Sequence, residues 1–372
     1  MPSTPEADAS SKMLAAINAK ENDANLKQIQ ERNEQQKATM DKMALDKMIA
    51  DQNLFFAIMQ NALRRKLELA ALQQELEQAA KLTGFANLKQ ALNVAKNPDG
   101  QSPLQQAFQQ QKFDDAQRLL DSGAIAGPRE RAAFEIALDS KAARDFGLPP
   151  IREVEKLHPV KDYGLVLGIE MTSKDGTLSQ FGHIGPCYQL LTDAVTKHAS
   201  TNPDFAEIAN AYQFSNSAAA FSASTSQRNP EAGIEISNRI QEGKLTTIPV
   251  SFSGHTMGLS VVPDGPDSKS GYLVFTNKGL GAKPGEEGTQ IYRVSDLSKI
   301  DPNFVNTMMN GHSDGTSHEK IMGMISKVTD GAPPIHSIPQ EAQKVDNCSV
   351  VNSQANVEGI LLCQPGSPHE KF

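Results

Sequence analysis

From Met40 to Leu82 the chain has neither proline nor glycine, and Phe55, Ile58, Met59, Ala62, Leu69, Leu72, Leu76 and Ala79 recur at steps of three and four. Such a run folds as helix with one apolar stripe. Arg65 and Lys66 near the seam interrupt a clean heptad. The expectation for 36–82 is therefore one long helix, or a helical hairpin broken near Asp51-Gln52-Asn53. Its stripe can pack on the next domain or pair with a second copy in a coiled coil. Residues 1–35, rich in Asn, Gln, Lys and Glu, read as disordered or loosely helical.

The second constraint lies at Gly147-Leu-Pro-Pro150, where helical periodicity fades and β-branched residues rise. Strands are expected at 165–170, 247–252, 256–262, 272–276 and 290–294. Helices are expected at 188–199, 203–214, 234–241, 302–310, 317–327 and 353–362. The fold class is α+β: a helical N-terminal arm (36–82), a helical module (83–150), then a domain with an antiparallel sheet (151–365) and a disordered tail (366–372). Cores must be built without Trp, and with aromatics at only 5%.

Within the helical module, Asn97-Pro-Asp-Gly100-Gln-Ser102-Pro103-Leu104 leads to Phe113-Asp-Asp-Ala116 and Leu119-Leu120-Asp-Ser-Gly123-Ala124. Asp-Gly makes a turn, Ser-Pro-Leu opens a capped helix with proline at its first position, and Gly-Ala closes a second helix. The segment 97–124 resembles an ankyrin repeat, with Gln105 where the repeat usually carries His. One repeat cannot bury its own apolar face. Gly84–Lys96 and Arg129–Phe146 are the expected degenerate neighbours.

Charge and cysteine usage narrow the function classes. A net charge of −8 argues against a nucleic-acid partner, and no apolar run reaches the length of a membrane span. The N-terminus lacks the pattern of a signal peptide. Three cysteines, Cys187, Cys348 and Cys363, stand at no metal spacing and do not make a disulfide framework. A reducing compartment is expected. His312, His318 and His336 lack paired-ligand spacing, so neither a metal nor a cofactor is expected.

Four residues carry chemistry. Strands 256–262 and 272–276, joined by the polar loop 263–271, read as a hairpin. If Val262 faces Tyr272, Asn277 faces Met257 and His255 is its same-face diagonal neighbour. Cys348 opens a helix after the reversal Val345-Asp-Asn347, so the helix dipole favours its thiolate. His255 is then the base, Asn277 its orienting acceptor, and Gln343 with the Cys348 backbone N–H the oxyanion donors.

The order His255, Asn277, Gln343, Cys348 resembles the ubiquitin-like-protease and adenovirus-protease group of cysteine peptidases, a permuted papain-like fold. Gly254–Val262, Phe275–Gly279 and Gln343–Ser349 are similar to the cysteine-protease-like domains of bacterial type IV secretion effectors, some of which carry ankyrin-like repeats. The resemblance implies thiol hydrolysis of a peptide or isopeptide bond in a host protein or ubiquitin-like conjugate. It implies secretion into a host cell, action in its cytosol or nucleus, and substrate recruitment by the ankyrin-like module. Ser349 in place of Gly, Asn277 in place of an acid, and a long gap before Cys348 depart from the pattern, the last implying an inserted substrate-facing segment at 296–336. An acyltransferase using the same residues and a non-catalytic binding effector are the alternatives. Cys187, also opening a helix and preceded by Gln180, is the rival nucleophile, in the order of an unpermuted papain-like enzyme.

Overall fold

The computed structural model describes residues 5–149, 157–219, 231–283 and 285–364, with side chains at 27 and from 31 onward. The tail 366–372 and the change of texture around Pro150 lie outside the described residues. The chain forms two compact units, Met1–Gly100 and Gln101–Phe372. The division falls inside the ankyrin-like segment 97–124.

In the first unit, helix α1 runs Pro5–Arg64, α2 Leu69–Leu82 and α3 Leu88–Val94. Helix α1 therefore covers most of the stretch expected to be disordered or loosely helical. The hairpin break comes after Arg64, not near Asp51, and Lys66 takes the left-handed conformation there (φ 51°). Phe55, Met59 and Ala62 are buried with Leu72, Leu76, Ala91 and Leu92, and Phe85 packs its ring on Phe55 at 5.7 Å. Helix α2 is 14 residues against 60 in α1, and residues 31–50 of α1 are all exposed. Met40 and Met43 are 71% and 68% exposed.

The second unit starts with the ankyrin-like helices α4 (Pro103–Gln109), α5 (Phe113–Asp121), α6 (Pro128–Ala137) and α7 (Lys141–Asp145). The Ser102 hydroxyl accepts the Gln105 N–H at 3.2 Å, capping α4. Phe134 of α6 packs on Phe108 at 4.9 Å and on Phe113 at 6.4 Å, so α6 and α7 stand where the following neighbour was expected. Next come α8 (Pro159–Leu167), α9 (Ile184–Ala199), α10 (Ala206–Ala219) and α11 (Ala232–Gln241). The strand expected at 165–170 is instead the end of α8. Pro159 opens that helix, His158 Nδ1 accepts the Val160 N–H, and Gly168 at φ 66° stops it, so the caps override a short apolar run.

The strands are β1 (Thr246–Thr247), β2 (Val250–Phe252), β3 (His255–Pro263), β4 (Gly271–Asn277), β5 (Gly288–Val294) and β6 (His336–Pro339), with α12 (Pro302–Asn310) and α13 (His318–Val328) before β6 and α14 (Cys348–Cys363) last. The sheet is antiparallel, ordered β1-β3-β4-β5-β6, and β2 also pairs with β3. Strands β1 and β2 are thus one edge interrupted at Ile248-Pro249, where proline is tolerated. Val262 faces Tyr272 in the β3–β4 ladder, the register assumed from the sequence.

Alternation along β3 and β4 divides the sheet's two faces. Leu259, Val261, Leu273 and Phe275 join Ile236, Phe304, Met308 and Ile321 on one side. Val262, Val274 and Ile291 join Leu165, Tyr188, Ile208, Val350 and Ile360 on the other. Segment 296–336 therefore supplies a core layer through α12 and α13, not the inserted substrate-facing segment expected. Helix α14 lies close enough to the sheet that a Cβ on Gly359 would stand 2.5 Å from Val274 Cγ1 and one on Gly258 2.5 Å from the Asn352 carbonyl.

Candidate active site at one end of the sheet

His255 is the first residue of β3, and its placement depends on a two-residue turn. Ser253 (φ 20°) and Gly254 (φ 80°) lie between the paired residues Phe252 and His255. A hairpin turn with both central residues at positive φ matches the twist of the strands it joins. The Gly254 N–H donates to His312 Nδ1 at 2.8 Å, and His312 Nε2 lies 3.0 Å from the Ile136 carbonyl of α6. With Nδ1 accepting and Nε2 donating, His312 is the neutral Nε2–H tautomer.

His255 Nε2 lies 2.9 Å from Asn277 Oδ1. The carboxamide is fixed from both sides: Oδ1 also accepts the Gly279 N–H at 3.1 Å, and Nδ2 donates to the Leu280 carbonyl at 3.1 Å. An acceptor so oriented requires a proton on His255 Nε2 and makes Nδ1 the basic nitrogen. The pair is 3% and 4% exposed. Burial pulls the His255 pKa down to about 4, against the opposing effects of Asn277 and Asp346. His318, at the start of α13, packs on Phe252 at 5.3 Å, and Phe252 packs on His255 at the same distance.

Cys348 is half-buried at the first position of α14. Burial pushes its thiol above the ordinary range, opposed by Thr256, the residue after His255. Burial thus biases the sulfur toward the thiol, against the thiolate expected from the helix terminus. Asn352 of α14 donates to the Thr256 carbonyl at 2.8 Å, fastening this end of the helix to β3. The Gln343 backbone N–H donates to the Lys278 carbonyl at 2.8 Å, and its carboxamide lies over Gly279, where a Cβ would be 2.6 Å away. All four expected residues are therefore held at the end of the sheet where β3 begins and β4 ends. The direct side-chain link among them is that of His255 with Asn277.

The rival thiol has another role. Cys187 is fully buried, donates to the Ser349 hydroxyl at 3.3 Å, and is pushed up to about 12 by burial. That hydroxyl belongs to the residue that follows Cys348. Gln180 donates to the Ile169 carbonyl at 2.7 Å and to Ser179. Cys363 is buried in the last turn of α14. Among the described residues no group of His, Cys, Asp and Glu is arranged to hold a metal ion.

Sequence reasoning passed over the residues that brace the nucleophile loop. Asp346, two positions before Cys348, accepts from Arg129 of α6 at 3.0 Å, and Arg129 also meets Glu170 at 3.2 Å. The Asp346 carbonyl accepts the Phe181 N–H at 2.9 Å, and Asn347 donates to the Leu165 carbonyl at 3.1 Å. The available signal was a carboxylate in a tight reversal just ahead of a helix, with arginine as the second residue of another helix.

Compared with known proteins, residues 46–372 match the family model described as "Dot/Icm T4SS effector AnkD/LegA15". The chain belongs to that family of Dot/Icm type IV secretion effectors, which implies secretion into a host cell. A solved structure titled "Structure of Legionella Effector AnkH" aligns with 82% of this chain at 14% identity and a TM-score of 0.38. The chain spans 65% of the length of that structure. No curated protein matches the chain. No helix among the described residues is long and apolar enough to cross a membrane.

Proposed function

We propose that the sheet-bearing unit is a cysteine hydrolase of the permuted papain-like, ubiquitin-like-protease type, cleaving a peptide or isopeptide bond in a host protein or ubiquitin-like conjugate. The observation that carries this reading is the His255–Asn277 hydrogen bond at 2.9 Å, whose fixed carboxamide places a proton on Nε2 and leaves Nδ1 the basic nitrogen of a ring that burial keeps neutral. Both groups rest uncharged, so the pair works by general base catalysis rather than as a preformed ion pair. As Cys348 Sγ bonds to the substrate carbonyl carbon, its proton passes to His255 Nδ1. The Cys348 backbone N–H and the Gln343 carboxamide stabilise the oxyanion. The imidazolium then protonates the leaving nitrogen as the C–N bond breaks, and water hydrolyses the thioester. Host proteins are the partners, and the reducing cytosol or nucleus of the host suits a free thiol.

A second reading, a binding effector without turnover, is favoured by the near-complete burial of His255 and Asn277. Intact-mass analysis after treatment with an electrophilic ubiquitin-type or peptide probe separates the two. The hydrolase reading expects a single adduct on the wild type and on Cys187→Ser, and none on Cys348→Ser. An adduct kept by Cys348→Ser and lost by Cys187→Ser would transfer the nucleophile to Cys187. No adduct on any variant favours the binding effector, while tight acetyl-coenzyme A binding in calorimetry would favour acyl transfer from the same thiol.

A further inference from the structure

The ankyrin-like helices meet the candidate site at both of its halves. Helix α6 reaches the nucleophile loop through Arg129, whose guanidinium lies 3.0 Å from Asp346 and 3.2 Å from Glu170. Gln105 of α4 approaches the same carboxylate at 3.4 Å. Helix α6 also reaches the histidine turn, because the Ile136 carbonyl holds His312 Nε2 while His312 Nδ1 holds the Gly254 N–H. On the other side of that glycine a Cβ would stand 3.1 Å from the Gln109 carbonyl of α4. A surface used only to recruit substrate needs none of these ties.

We propose that Arg129 is a positioning residue of the site: from the ankyrin-like module it neutralises Asp346, the carboxylate two residues before Cys348, and so sets how readily that thiol ionises. This deepens the hydrolase reading by giving the module a part in the chemistry. Asp346 raises the Cys348 thiol, and Arg129 is the cation that opposes burial at Asp346. The other groups facing this region are Glu170 beside Arg129, His255 on β3, the Cys187 thiol on α9, and Lys161 and Asp162 on α8, which act on Cys187 in opposite senses. None of the other cations reaches Asp346 as an ion pair among the described residues. An unneutralised carboxylate beside a thiol favours the protonated form, so loss of Arg129 moves ionisation to higher pH.

The test reads thiol chemistry rather than hydrolysis, so it stands apart from the function proposed above. In the full chain, the rate of Cys348 alkylation by iodoacetamide is followed by peptide mass across pH, with melting temperature as the check on folding. Arg129→Gln is expected to raise the midpoint of the rate profile and slow alkylation below it by about threefold or more. Asp346→Asn is expected to lower the midpoint, and Arg129→Gln/Asp346→Asn to cancel the rise. Coincident profiles for Arg129→Gln and wild type overturn the proposal, as does a double variant that keeps the rise. Should Arg129→Gln fail to fold, the double variant, which leaves no unpaired buried carboxylate, decides: a midpoint above wild type overturns the proposal, and one at or below it supports it.

Discussion

At the residue scale, burial sets the charge state of the site. His255 and His183 are held neutral, pulled down to about 4 and about 3 by desolvation. Each carries a depressed pKa relative to an unfolded value near 6.5, so between the two values the unfolded chain binds the extra proton. Stability is complete above pH 6.5 and is lost as the pH falls from there toward 4. His255 alone accounts for on the order of 3 kcal/mol of that loss. Urea melts at pH 7.5, 6 and 4.5 check this; a stability independent of pH over that range contradicts it, and His255→Gln should flatten part of the slope. These charge states were hidden in the sequence, where Cys348 at a helix start argues for a thiolate. Only the burial of the sulfur, with Asp346 adding to it, reveals the opposite bias.

At the element scale, the β2–β3 turn and the β3–β4 ladder position the imidazole. Gly254 is required twice, by its φ of 80° and by the Gln109 carbonyl beside it. Gly254→Ala is expected to cost about 1 kcal/mol for the backbone and more for the crowding, seen as a lower midpoint in urea. Probe labelling of Cys348 should fall further than the melt accounts for, since the residue after Gly254 is the base. A variant with unchanged melt and labelling would show the turn to be passive. The hairpin itself was legible from two short apolar runs joined by a polar loop, and its register, Val262 opposite Tyr272, was assumed from the sequence and is the one observed. The 165–170 segment was not, because its four apolar residues fit either period and the cap that opens the helix, His158, lies seven residues ahead of the run.

At the scale of the molecule, the sequence reads as segments, whereas the fold joins them by contacts that no pattern encodes. The repeat around Ser102-Pro103-Leu104 was legible from its turn and caps. Its union with the sheet through Arg129 and His312 links positions about two hundred residues apart. In the first unit, Phe55 is the fully buried anchor between α1, α2 and Phe85. Phe55→Ala is expected to cost about 3–5 kcal/mol there. Hydrogen exchange should show protection lost across Leu69–Val94, and retained protection would place the anchor elsewhere.

Helix α14 behaves as a stiff lever whose far end is seated by Gly359 and whose near end carries the sulfur. The two lie eleven residues apart, a span of roughly 16 Å along the axis. A side chain forced between that seat and Val274 would tilt the rod and carry the thiol out of register with the imidazole. Gly359→Val should therefore silence probe capture as fully as loss of the sulfur itself, in a chain whose circular dichroism still reads as folded. Inactivating substitutions found at the blunt end of this helix would then be lesions of aim rather than of chemistry.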